Sequence, residues 1–262
     1  MHREGRGGEG EDQRRVQRWS VCWHFHSAVL WQDLPAMRVV QVGGRYLAGR
    51  EQRLWTGLAG VLLAPVVMAV TGNTVLALAT AVGAIAVAPE LARRLRNTRN
   101  GRLGERIVTD ALRRLSDDYC LVNDVTLGAR RGNVDHVLIG PCGVVAIETK
   151  RLAGHIRCHG DTWWAKGYRR NSISKQVNAG ATAVRYSLME RHPELRDSAL
   201  RWVESIIVFT HPLCRLEVDR PKATVVRFSE LLQVVLALAE RKRVSPAIAE
   251  KLARSLVSAG GK

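Results

Sequence analysis

Asp135, Glu148 and Lys150 are the residues whose types and spacing could do chemistry together. They fall within residues 133–150, where two Val- and Ile-rich runs flank Gly140-Pro141-Cys142-Gly143. Branched apolar residues favour strands and the Gly/Pro bracket favours a tight turn, so this stretch predicts a β-hairpin. With the turn centred between Pro141 and Cys142, Asp135 faces Glu148 and Asn133 faces Lys150. Alternation along a strand then puts Glu148 and Lys150 on one face. Two opposed carboxylates on an apolar hairpin repel each other and resist burial. A divalent cation relieves both costs, and oxygen donors of this kind suit Mg2+ or Mn2+. Acids, ion and ammonium together supply what phosphodiester hydrolysis needs. They give a water of lowered pKa, neutralised phosphate oxygens, and a group that orients the water or stabilises developing charge. The residues equally allow a blander arrangement, with Asp135 at a solvated strand end and Glu148 paired with Lys150 on an exposed face.

The elements around the hairpin read as a mixed α/β domain. Leu103, Ile107, Val108, Ala111, Leu112 and Leu115 recur at helical spacing and predict an amphipathic helix over 102–116. Residues 118–127 read as the first strand, and 154–158 and 162–165 as further strands. A helix is expected over 174–191, with Val177, Ala181, Val184 and Leu188 on one side. Residues 205–210 (SIIVFT) form a short, strongly apolar strand expected to be central, and 223–227 another. Ser229 is expected to cap a helix over 230–241, and Ser245-Pro246 to open a last one over 246–258. Asp110, Asp117, Asp118 and Asp124 show no partner pattern and are read as solvated. His136 alternates away from Asp135 and is expected in the opposite layer.

The chain has 262 residues and a formal charge of +16, which favours phosphate-rich partners: nucleic acid or an anionic membrane face. Five cysteines lie far apart with no CxxC pair, which argues against a disulfide framework, a disulfide-linked partner or a zinc ribbon and suits a reducing compartment. Residues 1–54 are basic, without sustained period, and are expected to be largely disordered. His24 and His26 stand there without the partner cluster a metal site needs. No secretory signal is recognisable. Met37 offers an alternative start, which would make 1–36 an extension; mass spectrometry of the N-terminal peptide decides it.

Residues 55–89 contain no charged side chain, where the composition of the chain would place about eight. The run divides at Thr71-Gly72-Asn73 into halves of 16 residues, just short of the roughly 17–25 that span a bilayer. Arg45, Arg50 and Arg53 precede it, and Arg93, Arg94, Arg96 and Arg99 follow. Arginines on both flanks place both in the cytoplasm, which a two-helix transmembrane hairpin satisfies. Small residues would let its helices approach closely, and Pro65 would kink the first. The rival readings are a buried soluble hairpin or a re-entrant loop. Residues 90–100 are a basic juxtamembrane linker whose arginines suit anionic headgroups.

Over residues 101–227 the chain resembles the nuclease-related domain (NERD) family. The resemblance is carried by Gly101-Arg102-Leu103-Gly104-Glu105, Gly132-Asn133-Val134-Asp135-His136, Gly140-Pro141-Cys142-Gly143-Val144, Glu148-Thr149-Lys150 with Gly154, then Trp163, Gln176 and the strand ending at Thr210. It implies the PD-(D/E)xK restriction-endonuclease-like fold, a mixed central sheet flanked by helices. It also implies Glu105 as the first acidic position, Asp135 as the metal aspartate, Glu148 and Lys150 as the ExK pair, and Gln176 on the following helix. All five are present, although Val134 stands where the motif's name has proline. From the residues alone, Glu105 equally suits the favourable N-terminal end of a helix dipole, and Gln176 a solvent-facing helix position.

Between Arg151 and Lys175, cations and aromatics interleave: Arg151, Trp163, Trp164, Lys166, Arg169, Arg170 and Lys175. Bases stack on such rings while cations follow phosphates; the alternative is that the tryptophans are core. The expectation is a membrane-anchored, Mg2+- or Mn2+-dependent nuclease acting on DNA or RNA. Its metal would sit on Asp135, Glu148 and Glu105, its hairpin 55–89 in lipid of the cell (inner/plasma) membrane, its catalytic domain in the cytosol, and its C-terminal helices over 228–262. The alternative is a tethered module that binds nucleic acid or protein without cutting.

Overall fold

The computed structural model describes residues 37–41, 45–127, 133–241 and 244–260, all within one unit, Leu34–Lys262. His24, His26, residues 1–36 and 42–44 of the run expected to be disordered, and Gly132 lie outside these residues.

The uncharged stretch forms two long helices, α1 (Arg45–Val70) and α2 (Thr74–Leu112). They turn at Gly72, whose φ of +79° suits glycine, and Asn73 caps α2 by accepting from the Leu76 N–H at 3.1 Å. They pack against each other with Gly57 beside Leu91. Both are long and apolar enough to cross a membrane, and their apolar windows are 0% and 6% buried. Leu62, Leu63, Val66, Val70, Leu78, Val82 and Ile85 all stand exposed. The basic linker over 90–100 is helical and continuous with the helix expected over 102–116, both being parts of α2, which ends at Leu112. α2 runs 39 residues without a break, about 58 Å at 1.5 Å per residue. No proline follows Pro89 within it. Glu90 also pairs with Arg93 and Arg94 one turn on, at 2.7 Å each, which supports helix through the basic stretch.

A six-stranded mixed sheet receives the far end of α2. Its order is β1 (Arg38–Gln41), β2 (Cys120–Thr126), β3 (Asn133–Gly140), β4 (Gly143–Lys150), β8 (Val203–Phe209), β10 (Thr224–Arg227). β2, β3 and β4 are antiparallel neighbours, while β1 on β2, β8 on β4 and β10 on β8 are parallel. The hairpin register is the expected one, Gly140 against Gly143 and His136 against Ile147. Gly143 has φ +91°, open to glycine and strained for other residues.

Both faces of the sheet are covered, which is why its strands read as nearly continuous apolar runs. On one face Val122, Val137, Ala146 and Val144 meet α3 (Ile173–Arg191) and α5 (Pro246–Gly260) through Val184, Leu188, Leu252 and Leu256. On the other, Leu121, Leu138, Ile147 and Val208 meet Val108 and Leu112 of α2 and Leu231 and Val235 of α4 (Leu231–Ala239).

A smaller sheet, ordered β7 (Tyr168–Arg170), β6 (Thr162–Ala165), β5 (Gly154–His159), β9 (Cys214–Asp219), covers a third apolar cluster. Strand β1 forms within the segment expected to be disordered. β1 (RVVQ) is too short to show a period, whereas β9 (CRLEVD) alternates apolar and charged residues, a strand signal that the sequence carries and the expected strands leave out. Ser229 does not cap α4. Phe228–Glu230 is a 3-10 turn, and the Glu230 carboxylate accepts the Arg227 N–H at 2.8 Å. Among the described residues no disulfide forms; Cys120, Cys142 and Cys158 are buried and Cys214 half-buried.

Candidate active site

The site is built at the open end of the β3–β4 hairpin. The ladder's last pair is His136 with Ile147, so Asp135 and Glu148 are the next positions out. There the backbone pairing stops and a side chain takes over: the Thr149 N–H donates to Asp135 Oδ2 at 2.8 Å. β4 continues along β8 to Lys150, and this pairing with a buried neighbour holds its last residues in place. Lys150 Nζ donates to Glu148 Oε1 at 2.5 Å and to Gln176 Oε1 at 3.2 Å. Gln176, in the first turn of α3, donates in turn to Glu148 Oε1 at 2.8 Å. The ExK pair and the helix glutamine therefore form one hydrogen-bonded trio. Glu148 is buried, so the arrangement with an exposed Glu148–Lys150 pair does not hold.

Glu105 reaches this group because α2 comes very close to the sheet. A Cβ at Gly104 would lie 3.1 Å from Thr149 Cγ2 and 3.1 Å from Thr210 Oγ1, so glycine lets the helix come this near without crowding those side chains. Burial, then Asp124, then Glu148 push the Glu105 carboxyl above its ordinary range, against Arg102 and Lys150. Asp135 is held well above the usual aspartate value, by burial first and then by Glu148 and Glu105; the Thr149 N–H opposes this. Burial raises Glu148 as well, offset by Lys150 and by the hydrogen bonds from Lys150 and Gln176. Three acids thus share a site in which each makes the others harder to ionise.

Asp124 also lines this site, a place that was not read from the sequence. It is buried, not solvated, with φ +55°, and the Asn133 amide donates to it. It lies in β2 between Asn123 and Val125, which pair with His136 and Val134, and so comes opposite Asp135. Only the strand register reveals it. Asn133 consequently turns toward Asp124 and Thr126 instead of bonding Lys150.

His136 points to the other face and is fully buried. Its Nδ1 lies 2.8 Å from Asn123 Oδ1 and its Nε2 3.1 Å from Thr149 Oγ1. An amide oxygen only accepts, so Nδ1 carries the proton and Nε2 accepts from the threonine hydroxyl. Burial pulls the imidazole down to about 3, so it is neutral. Asn123, His136 and Thr149 form a chain beneath Asp135.

A cavity of about 550 Å3 opens over Glu105, Asp124, Asp135 and His136. The donors around it are carboxylate oxygens, which fit a hard divalent cation, and their mutual repulsion is the cost such a charge would remove. Among the described residues no three His, Cys, Asp or Glu side chains converge as a ready-made metal cluster.

The residues expected to bind nucleic acid divide into two groups. Trp163 is core: it is 1% exposed, stacks on Phe209 at 5.9 Å and donates its ring N–H to Ser174 at 2.9 Å. It cannot stack on a base. Arg151 is partly buried and donates to the Thr210 carbonyl at 3.2 Å. Trp164 is half-exposed beneath Arg157, whose guanidinium lies 5.6 Å from the ring. Lys166, Arg169, Arg170 and Lys175 are exposed.

Fold and site together define a helix-flanked mixed-sheet domain with buried acids, a lysine and a glutamine gathered at the end of one hairpin. Residues 100–210 match the family model of the nuclease-related domain (NERD), and the PD-(D/E)xK superfamily is consistent with that family. The match spans Glu105, Asp135, Glu148, Lys150 and Gln176. A search of curated proteins and a search of solved structures return no match.

Proposed function

We propose that this protein is a membrane-anchored, metal-dependent nuclease that hydrolyses phosphodiester bonds of nucleic acid in the cytosol. The observation that carries the reading is the Glu148–Lys150–Gln176 trio beside Asp135, inside a nuclease-related domain. Asp135 and Glu148, with Glu105 nearby, would hold Mg2+ or Mn2+. Such an ion supplies a water of lowered pKa and neutralises phosphate oxygens. Lys150 orients the attacking water or stabilises charge developing on the phosphate, and Gln176 keeps the lysine and Glu148 in register. The Thr149 N–H aims Asp135. The arginine flanks and the exposed apolar surface of α1 and α2 support residues 55–89 as a two-helix anchor with the domain on the cytosolic side.

The test is cleavage of plasmid, single-stranded DNA and RNA by the purified chain, with and without Mg2+ or Mn2+. Cleavage that needs the ion and disappears in Glu148→Ala and Lys150→Ala, with circular dichroism unchanged, supports the reading. A Glu148→Ala/Lys150→Ala double variant that cuts at the wild-type rate removes it. The exposed cations and half-exposed Trp164 of the smaller sheet favour a second reading: a tethered module that binds nucleic acid or protein without cutting. Metal-independent binding with no cleavage in the same assay would select it.

A further inference from the structure

Arg99, Arg102, Arg106 and Arg113 follow one another at intervals of three, four and seven residues, which puts them on one face of α2 and its C-cap. All four are exposed, and all four line the cavity above the acids. The opposite wall is the β2–β3 edge that carries Asp124 and Asp135. Three of the arginines are already engaged: Arg113 pairs with Asp110 on its own helix at 3.5 Å, and the other two share a carboxylate of α1. Glu51 of α1 meets Arg99 at 3.1 Å and pairs also with Arg102. Its carboxylate is largely covered by these two guanidinium groups, while the arginines keep half of their own surface open.

We propose that this arginine face holds the phosphate backbone of a nucleic-acid strand and leads it to the acids, and that Glu51 occupies the first two phosphate positions until the strand displaces it. The groove, and not the β6–β7 surface alone, is then the entry path. A guanidinium fork binds carboxylate and phosphate in the same way, so one can stand in for the other. The row from Arg99 to Arg113 covers fourteen residues, about 21 Å of helix, which matches about six phosphates of one strand at 3.4 Å each. A lipid headgroup would need only the arginines nearest the apolar hairpin. This row instead runs away from the hairpin and passes over the acids, which lie level with Gly104 and Glu105. The contact also links the anchor to the site, because Glu51 belongs to the helix that continues into the apolar hairpin.

The inference rests on the nuclease reading for what happens at the groove floor, so its test reads binding and not cleavage. The full chain in detergent micelles, with chelator present, is titrated with a fluorescein-labelled DNA or RNA oligonucleotide over a range of salt concentrations. Arg102→Gln with Arg106→Gln should weaken binding and reduce the slope of log affinity against log salt by about two. Glu51→Gln should tighten binding by about two- to fivefold, the size of a lost surface ion-pair competitor. Arg94→Gln, which pairs with Glu90 outside the cavity, should change neither. A Glu51→Arg/Arg102→Glu exchange rebuilds the ion pair between the helices. It should keep the thermal midpoint yet weaken binding, which separates a lost phosphate contact from lost folding. An unchanged salt slope in the double arginine variant, or unchanged affinity in Glu51→Gln, overturns the inference. So does an effect confined to binding of phosphatidylserine vesicles, which would assign the row to headgroups. Absent cleavage with these binding changes intact would count against the nuclease reading and leave the groove standing.

Discussion

Replacing His136 by glutamine should make the protein more resistant to mild acid. Glutamine keeps one donor for Asn123 Oδ1 and one acceptor for the Thr149 hydroxyl, so the chain beneath Asp135 survives while its titratable member is removed. His136 is fully buried and its imidazole is held at about 3, against 6.5 when exposed. The folded protein therefore stays neutral at this position while the unfolded chain takes up a proton below 6.5. Stability is fully present above that value and is lost as pH falls toward 3. From those two values and 1.36 kcal/mol per unit, the loss is about 1.4 kcal/mol by about pH 5.5 and about 2.7 kcal/mol by about pH 4.5. Asp135, Glu148 and Glu105 act with the opposite sign. Their raised carboxyls lose stability as pH rises through their folded values and recover it in acid. That contribution is common to both proteins and cancels in their difference. Urea unfolding in chelator, followed by tryptophan fluorescence at several pH values, measures it. Wild type should lose the amounts above relative to His136→Gln between about pH 7.5 and 4.5. A flat difference over that range would refute the buried, neutral assignment.

Asp135→Asn should abolish cutting and yet raise the melting temperature in chelator by roughly 2–6 °C, because a neutral amide no longer opposes Glu148 and Glu105; a lowered midpoint in differential scanning calorimetry would contradict this. Trp163→Ala should cost about 3–5 kcal/mol in urea unfolding, as loss of a core aromatic does. Trp164→Ala should leave stability nearly unchanged but weaken oligonucleotide binding by roughly 5- to 100-fold if a base stacks there. Gln176→Ala should reduce the cleavage rate by about tenfold or more, since it removes one hydrogen bond to each of two charged groups, with circular dichroism unchanged. Carbonate extraction of cells expressing the chain should leave it in the membrane pellet, and removal of residues 55–89 should release it.

Much of the site could be read from residues near one another in the chain. The Gly-Pro-Cys-Gly turn and the alternating apolar positions determine the register, and the register alone brings Asp135 opposite Glu148 and Lys150 onto the same side. The charge-free stretch ending at Pro89 likewise announces two long apolar helices. Local pattern was silent wherever a residue's role depends on a partner far along the chain. Asp124 looks like a solvated acid on its strand until β2 is laid beside β3. Trp163 looks like a stacking platform until the small sheet closes over Phe209. Glu51 meets Arg99 and Arg102 only because two helices fold back on each other. Periodicity tells which side of its own element a residue occupies. What that side meets is decided by packing between separate elements, where the lowest free energy comes from burying surface and pairing charge over the whole chain.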